Sequence, residues 1–369
     1  MIDRFKVTAH NSTRVEETAL RETVRRIFTA CGVSQIDADT ATDVLVTADL
    51  RGIDSHGVSN SLRGYVQGFH DQELNPTPQW QVVRETPGTA NIDSDAGLGI
   101  MVAPRAMEIA IEKASKVGVG TVTIHNSRHL GMISYHAMMA LPHDMIGMTM
   151  SSCPVNVNPT FAAEPRLGTN PIAIAAPAGT EKPFVFDAAM SVVPANRLIW
   201  ALRLGQDLMP GWVADDDGTP LMHPVPPPEL GDDGIPQANI LPLGSTPELG
   251  SHKGYGLMAM VDILSGILSG GGYGVKPGRP TFNHYVTAYN IEAFTEVTEY
   301  KQMMDEWLVM LKNTKPSPGH ERVLYAGLKE AETLADRKSN GIPLHAEVLS
   351  WFDTACQKLG VENALQNRF

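Results

Sequence analysis

The sequence predicts an α/β protein: a mixed sheet flanked by helices, joined to a helical unit that both ends of the chain supply. Three observations predict it. Apolar residues recur at helical spacing through the first 75 residues and again from Arg322 onward. Helix and strand patterns alternate between residues 100 and 150. Further short apolar runs, bounded by Gly and Pro, follow up to residue 293.

Taken in order, Leu20, Val24, Ile27 and Phe28 mark one helix face, and Gly32 is a natural stop. A second helix is expected over Asp37–Ala48, and a third after Ser59, carrying Leu62, Val66 and Phe69. Asn75-Pro76 and Pro78 break the pattern. Residues 80–95 read as extended. A strong helix follows, with Pro104 near its start, Met107, Ile111, Ala114 and Val117 on one face, and Gly118 as its end. Gly120–His125 reads as a buried strand, Gly131–Leu141 as a helix, and Met145–Met150 as a strand. The runs 171–177 and 183–187 read as central strands, and Ser191–Leu204 as a helix. Residues 206–250 hold the Asp215–Asp217 triplet and clusters of Pro and Gly, so they are expected to be an excursion rather than a core element. An apolar helix over Lys253–Leu268 stops at Gly270–Gly272; a strand over 284–293 and a helix over Thr295–Leu311 follow. Two helices, Arg322–Asn340 and Ala346–Leu359, finish the chain. At ~100–200 residues per domain the 369 residues suggest two: a helical one from 1–80 with 322–369, and an α/β one from 81–321.

Composition narrows the function. Asp and Glu (41) outnumber Lys and Arg (29), giving a net charge of −12 and no basic footprint for nucleic acid or anionic membrane. Three scattered cysteines offer neither a disulfide framework nor a zinc cluster. The chain start lacks a secretory apolar core, and no window approaches a membrane span. A cytoplasmic protein acting on a small molecule is the expectation.

Several polar blocks could carry chemistry. In Arg51–Gly57 (RGIDSHG), Ser55 and a turn glycine flank His56, as a general acid/base needs; a helix cap is the plain alternative. Asn126–Gly131 (NSRHLG) puts Arg128 and His129 between a strand and a helix, where open α/β folds place ligand groups, or it merely caps that helix. Thr169 precedes an apolar strand. Asp187 ends one, and a carboxylate there is costly unless paired. His252 and Lys253 start a helix among glycines, a possible phosphate or ribose cradle or a hinge. Gly319, His320 and Glu321 form a polar turn. Phosphate-loop, zinc-protease and serine-hydrolase signatures are absent from the sequence.

Six blocks in order, RGIDSHG, GLGIMVAPRAMEIAIEKA, NSRHLG, RLGTNP with PFVFDAAMS, LGSHKGYG and PGHE, give the chain a resemblance to the malate/L-lactate dehydrogenases of the second, non-Rossmann type. The resemblance covers nearly the whole chain. It implies a dinucleotide-binding fold of its own kind, a homodimer, NAD or NADP as cofactor, and 2-hydroxy or 2-keto acids as substrates. Cyclic imino acids are the alternative substrate class, and a cation-dependent lyase the alternative outside it. The implied acid/base is His56 with Asp187 as helper, or His129. Implied cofactor contacts are Pro183, Phe184, Val185, Phe186, Asp187, Ala188 and Ala189, then His252 and Lys253, then Gly319, His320 and Glu321. Substrate contacts are expected from Ser55, Asn60, Arg63, Arg128 and Thr169. One departure stands out: the pattern SHGVxR carries an arginine where this chain has Asn60, with Arg63 as the nearest replacement to hold a carboxylate.

Overall fold

The computed structural model describes residues 9–231, 237–278 and 282–366. The first eight residues of the chain start read for a leader, and part of the excursion's acidic and Gly-rich stretch, lie outside these residues. In chain order, β1 (Ser12–Val15) leads to α1 (Glu17–Ala30), α2 (Gln35–Leu50), a π-helical turn (Val58–Leu62) and α3 (Arg63–His70). Next come β2 (Gln81–Glu85), β3 (Thr89–Asp93), α4 (Gly99–Val117), β4 (Val119–Ser127), α5 (Ile133–Met138) and β5 (Met145–Ser152). Then follow β6 (Ile172–Ala176), β7 (Phe184–Ala188), α6 (Ala195–Leu204), β8 (Val213–Ala214), β9 (Asn239–Ile240) and α7 (Ser251–Val261), which runs on into a second π-helical turn (Asp262–Ile267). The chain closes with β10 (Phe282–Asn290), α8 (Val297–Lys312), α9 (Leu328–Asn340), β11 (Ile342–His345) and α10 (Ala346–Leu359).

Local chemistry explains the boundaries. Ser34 caps α2: its hydroxyl accepts from Asp37 N at 3.2 Å. Gly32 and Gly118 take positive φ (89° each) just past α1 and α4, a backbone turn that a side chain disfavours. The apolar face of α1, Leu20, Val24, Ile27 and Phe28, is buried as its spacing predicts.

A seven-stranded mixed sheet has the order β2-β3-β4-β10-β5-β6-β7. Only β3 and β4 are parallel; the other neighbours are antiparallel. The late strand β10 therefore sits between β4 and β5. The runs read as central strands belong elsewhere: β6 is next to the edge and β7 is the edge. Their apolar character comes from what covers them. Val185 donates its N–H to Ala326 O at 3.0 Å, and Phe184 packs on Trp307 with ring centres 5.8 Å apart.

A row of small residues, Gly120, Ala288, Gly147 and Ala175, crosses β4, β10, β5 and β6. A Cβ on Gly120 would lie 1.9 Å from Ala110 O, and one on Gly147 would lie 2.0 Å from Ala137 O. The backbones of α4 and α5 thus rest directly on the sheet. The two chain ends meet as well, since β1 pairs with β11 from Ser12–His345 to Val15–Ile342. One continuous apolar core runs from α1 and α2 through α4 and the sheet to α10. The excursion is not bare loop: β8 pairs with β9, and Trp200, Leu208, Trp212, Val213 and Ile240 form a smaller core of their own. Among the described residues no helix is long and apolar enough to cross a membrane.

Candidate active site

The His56 loop begins where α2 ends. Gly52 turns at φ 77°, and Ile53 N–H closes back on Ala48 O at 2.9 Å. Asp54 is held by Arg337 at 2.6 Å. Buried Asp49 accepts from Val58 N at 2.8 Å. Its carboxyl fills the space beside Gly57, where a Cβ would stand 2.1 Å from Asp49 Oδ1. The glycine after His56 is thus a packing requirement. Ser55 Oγ lies 2.9 Å from His56 Nδ1, and Asn196 Nδ2 on α6 donates to Ser55 O at 2.8 Å.

His129 follows β4 near the centre of the sheet. Two buried histidines fix its backbone. His284 Nε2 donates to Arg128 O at 3.0 Å, with Ser151 Oγ 2.9 Å from its other ring nitrogen. His136 Nε2 donates to Leu130 O at 3.0 Å. The His129 ring is fixed in turn: Tyr65 Oη is 2.6 Å from Nδ1, and Phe282 meets it edge-on at 5.5 Å. His56 and His129 then stack, 5.8 Å between ring centres at 18°. With both Nδ1 atoms engaged, the Nε2 atoms carry no hydrogen bond among the described residues and are available to a ligand.

His56 stands where two chambers meet, and His129 lines the first of them. The first, of about 240 Å³, is lined by both histidines, Leu130, Ile133, Ile199 and Phe282 among others. The second, of about 450 Å³, runs from His56 past Thr169 and Asp187–Ala189 to Arg197, Leu243 and the Lys329–Glu330 turn of α9. His56, Thr169 and Pro171 border both. A smaller cavity of about 130 Å³ holds Arg51, Val185–Asp187 and Glu330. Arg51 is buried there, and its Nε has no partner among the described residues.

Electrostatics keep the histidines neutral. Desolvation lowers His56 to about 3, helped by His129 and the Arg197 guanidinium, and lowers His129 to about 4. Burial pushes the Tyr65 phenol up, so it stays protonated. The Asp187 carboxyl is raised by desolvation against the pull of the Ser134 N–H at 2.9 Å and the Arg51 charge.

The structure gathers some expected residues and separates others. Ser55, His56, His129, Thr169, Asp187, Ala188 and Ala189 line the two chambers. Asp187 makes no hydrogen bond to His56; it holds the start of α5 through Ser134. The surroundings of His56 therefore favour imidazole, the reverse of what a His–Asp pair would do. Arg63 points outward from α3, ion-paired with Glu347 and 5.5 Å above the Trp351 ring, so it does not replace the missing arginine. Asn60 is spent on α6: its Oδ1 accepts from Arg203 at 2.8 Å, and its Nδ2 donates to Asn196 O at 3.3 Å. Arg128 donates to Glu73 O and Ser127 O at 3.1 and 3.0 Å. Val185 and Phe186 reach only the small cavity. Phe184 belongs to a separate apolar cluster, and Pro183, just before it, lines none of the three cavities. His252 and Lys253 are exposed on the first turn of α7, and Gly319, His320 and Glu321 are exposed before α9. None of these five lines a chamber. The Asp215–Asp217 turn spends its carboxylates internally: Asp215 Oδ1 accepts from Thr219 N at 2.9 Å, and Asp217 Oδ1 accepts from Thr219 Oγ1 at 2.6 Å. Among the described residues no cluster of three His, Cys, Asp or Glu side chains could hold a metal ion. Tyr65, His136, His284, Phe282 and Arg197 join the site without any local signal in the sequence, apart from the nearness of Tyr65 to the His56 block.

The family profile described as malate/L-lactate dehydrogenase matches residues 15–352. Malate dehydrogenase of Pyrococcus abyssi is 40% identical over 358 residues, covering 95% of this chain and 96% of that protein. L-sulfolactate dehydrogenase of Methanocaldococcus jannaschii is 34% identical, covering 89% and 92%. The solved malate dehydrogenase of Pyrococcus horikoshii OT3 superposes with a TM-score of 0.86 at 37% identity, covering 97% of this chain and 98% of that one. With its fold, its ordered blocks and its full-length relatives in accord, the chain belongs to the malate/L-lactate dehydrogenase family.

Proposed function

We propose that the protein interconverts a small 2-hydroxy acid and its 2-keto acid with NAD or NADP, as a cytoplasmic homodimer. One observation carries the reading: two stacked, neutral histidines with free Nε2 atoms line one chamber, and His56 borders a second. We assign the cofactor to the part of the larger chamber formed by Asp187–Ala189 and the start of α9, and leave the part formed by His56 and Arg197 to the substrate. The chamber's size falls within the usual range for small-molecule sites, about 300–1,000 Å³, and the buried Arg51, whose Nε has no partner among the described residues, lines the small cavity that shares Ile53, Asp187 and Glu330 with it. When bound, a nicotinamide would supply the hydride acceptor for the alcohol carbon and the hydride donor for the keto carbon.

The chain's own residues manage the proton. In oxidation the alcohol O–H proton passes to an imidazole Nε2. His129 is the better acceptor, because His56 has the Arg197 charge beside it and His129 does not. As His129 becomes imidazolium its Nδ1–H donates to Tyr65, whose oxygen is already in place. His56 donates to the substrate oxygen from the other side and orients it. The cation-dependent lyase reading draws no support from the family.

The test is His129→Asn and His56→Asn, assayed with a panel of hydroxy acids and both cofactors. His129→Asn should lower kcat by about 10²–10⁴-fold, and His56→Asn by less. Binding of reduced cofactor, read by its fluorescence, should stay within threefold for both. Full activity in both variants would end the acid/base assignment.

A further inference from the structure

Charge is unevenly spread around the histidine pair. Among the described residues no Asp, Glu, Lys or Arg lines the first chamber, and its two histidines are neutral at pH 7. Its walls carry Leu130, Ile133, Val155, Ile199 and Phe282, with the uncharged polar side chains of Ser151, Asn156, Thr169 and Asn196 among them. The arginines nearby in the fold are mostly engaged. Arg63 and Arg203 share Glu347, and Arg203 also donates to Asn60. Arg128 is tied to two carbonyls. Arg197 differs. It is half-buried and lines the second chamber beside His56, and its guanidinium makes no hydrogen bond or ion pair among the described residues. Asp54, the acidic group whose field it feels, is held by Arg337. Lys329 also lines that chamber, but in the company of Glu330.

An unpaired, partly desolvated guanidinium is unfavourable until an anion meets it, and its planar fork suits a carboxylate. A second carboxylate forced into the first chamber would find no cation there and would lose its hydration. Building on the hydroxy-acid reading above, we propose that Arg197 grips the one carboxylate of the substrate while the first chamber takes an uncharged apolar arm. The preferred substrate is then a 2-hydroxy or 2-keto monocarboxylate with a branched or extended hydrocarbon side chain, not a dicarboxylate. Arg197 thereby does the work expected of the arginine that Asn60 replaces.

The experiment compares 4-methyl-2-oxopentanoate with oxaloacetate under the same reduced cofactor. kcat/KM should favour the apolar keto acid by at least tenfold. Arg197→Gln should raise KM for that acid at least tenfold while the Kd of the reduced cofactor stays within threefold, and Arg197→Lys should recover part of the loss. A preference for oxaloacetate overturns the apolar-arm assignment. Equal losses of substrate and cofactor affinity in Arg197→Gln overturn the placing of the carboxylate on Arg197. A pair of unreactive acids gives an answer independent of turnover: with reduced cofactor bound, 4-methylpentanoate should raise Tm more than succinate does, and the reverse order counts against the proposal. If no 2-keto acid turns over, the hydroxy-acid reading fails, and this melting comparison alone decides what the chamber accepts.

Discussion

His56 and His129 are neutral in the free protein, so the two directions of the proposed reaction respond differently to pH. Oxidation needs imidazole, which is fully present above about pH 5 because burial holds the pair at about 3 and about 4. Its kcat/KM should be level with respect to the histidines from about pH 5 to 8. Reduction needs imidazolium, so its kcat/KM should fall about tenfold per pH unit over the same range. A level profile in the reductive direction would remove histidine as the proton donor. Tyr65→Phe tests the support behind His129. The ring loses its 2.6 Å partner, and kcat should fall about tenfold, the effect of one hydrogen bond worth roughly 1.4 kcal/mol, with Tm changed by only a few degrees. Both histidine blocks were legible in the sequence because each pairs a histidine with local turn chemistry, Ser55 and Gly57 in one and Ser127 and Gly131 in the other. The residues that fix His129 were not. His284 is 155 positions away and touches only the backbone beside it, a relation with no periodicity or spacing to reveal it. Arg63 and Arg128 misled for the related reason that charge says nothing of direction: each found a closer partner on another element.

Elements were easier to foresee than their order. Strand patterns marked the strands of the large sheet, but β1, in a separate two-stranded sheet, went unseen, being four residues of mixed polarity that pair with the far end of the chain. The edge strand β7 passed for a central one because α8 and residues 325–327 shield it. Side-chain size carried information that patterning did not. Gly120 and Gly147 sit under the carbonyls of Ala110 and Ala137, and Ala288 lies between them in the sheet. Gly147→Ala should push α5 off β5, costing about 3 kcal/mol as an overpacking change and lowering Tm by roughly 4 °C in a chain of this length. Calorimetry checks it, and a fall below 2 °C would mean that α5 lifts freely. Since α5 follows the His129 turn, the same variant should also lose activity before it loses its fold.

At the scale of the whole molecule, buried histidines set the acid limit. His136 and His284 are fully buried and lie at about 4 and about 3, beside the two histidines of the cavity. Each folded value is below the unfolded 6.5, so between those values the unfolded chain binds more protons and stability drains away as pH falls. The raised carboxyls of Asp49 and Asp187 act in the opposite sense, losing stability as pH rises through their folded values. With four groups against two, Tm should drop steadily from pH 7 to pH 4.5 in thermal melts; a rising Tm would put the carboxyls in command. The place of β10 sets a limit of another kind, in time. It arrives about 130 residues after β5 ends, yet β4 and β5 can join only through it, and Phe282 at its head touches His129. Closing so long a loop before any strand contact rewards it makes folding slow. A chain still emerging from the ribosome holds β4 and β5 as two unpaired edges, exposed to other chains until β10 is made. Activity regained after dilution from denaturant should therefore appear in step with the closing of the sheet and never ahead of it.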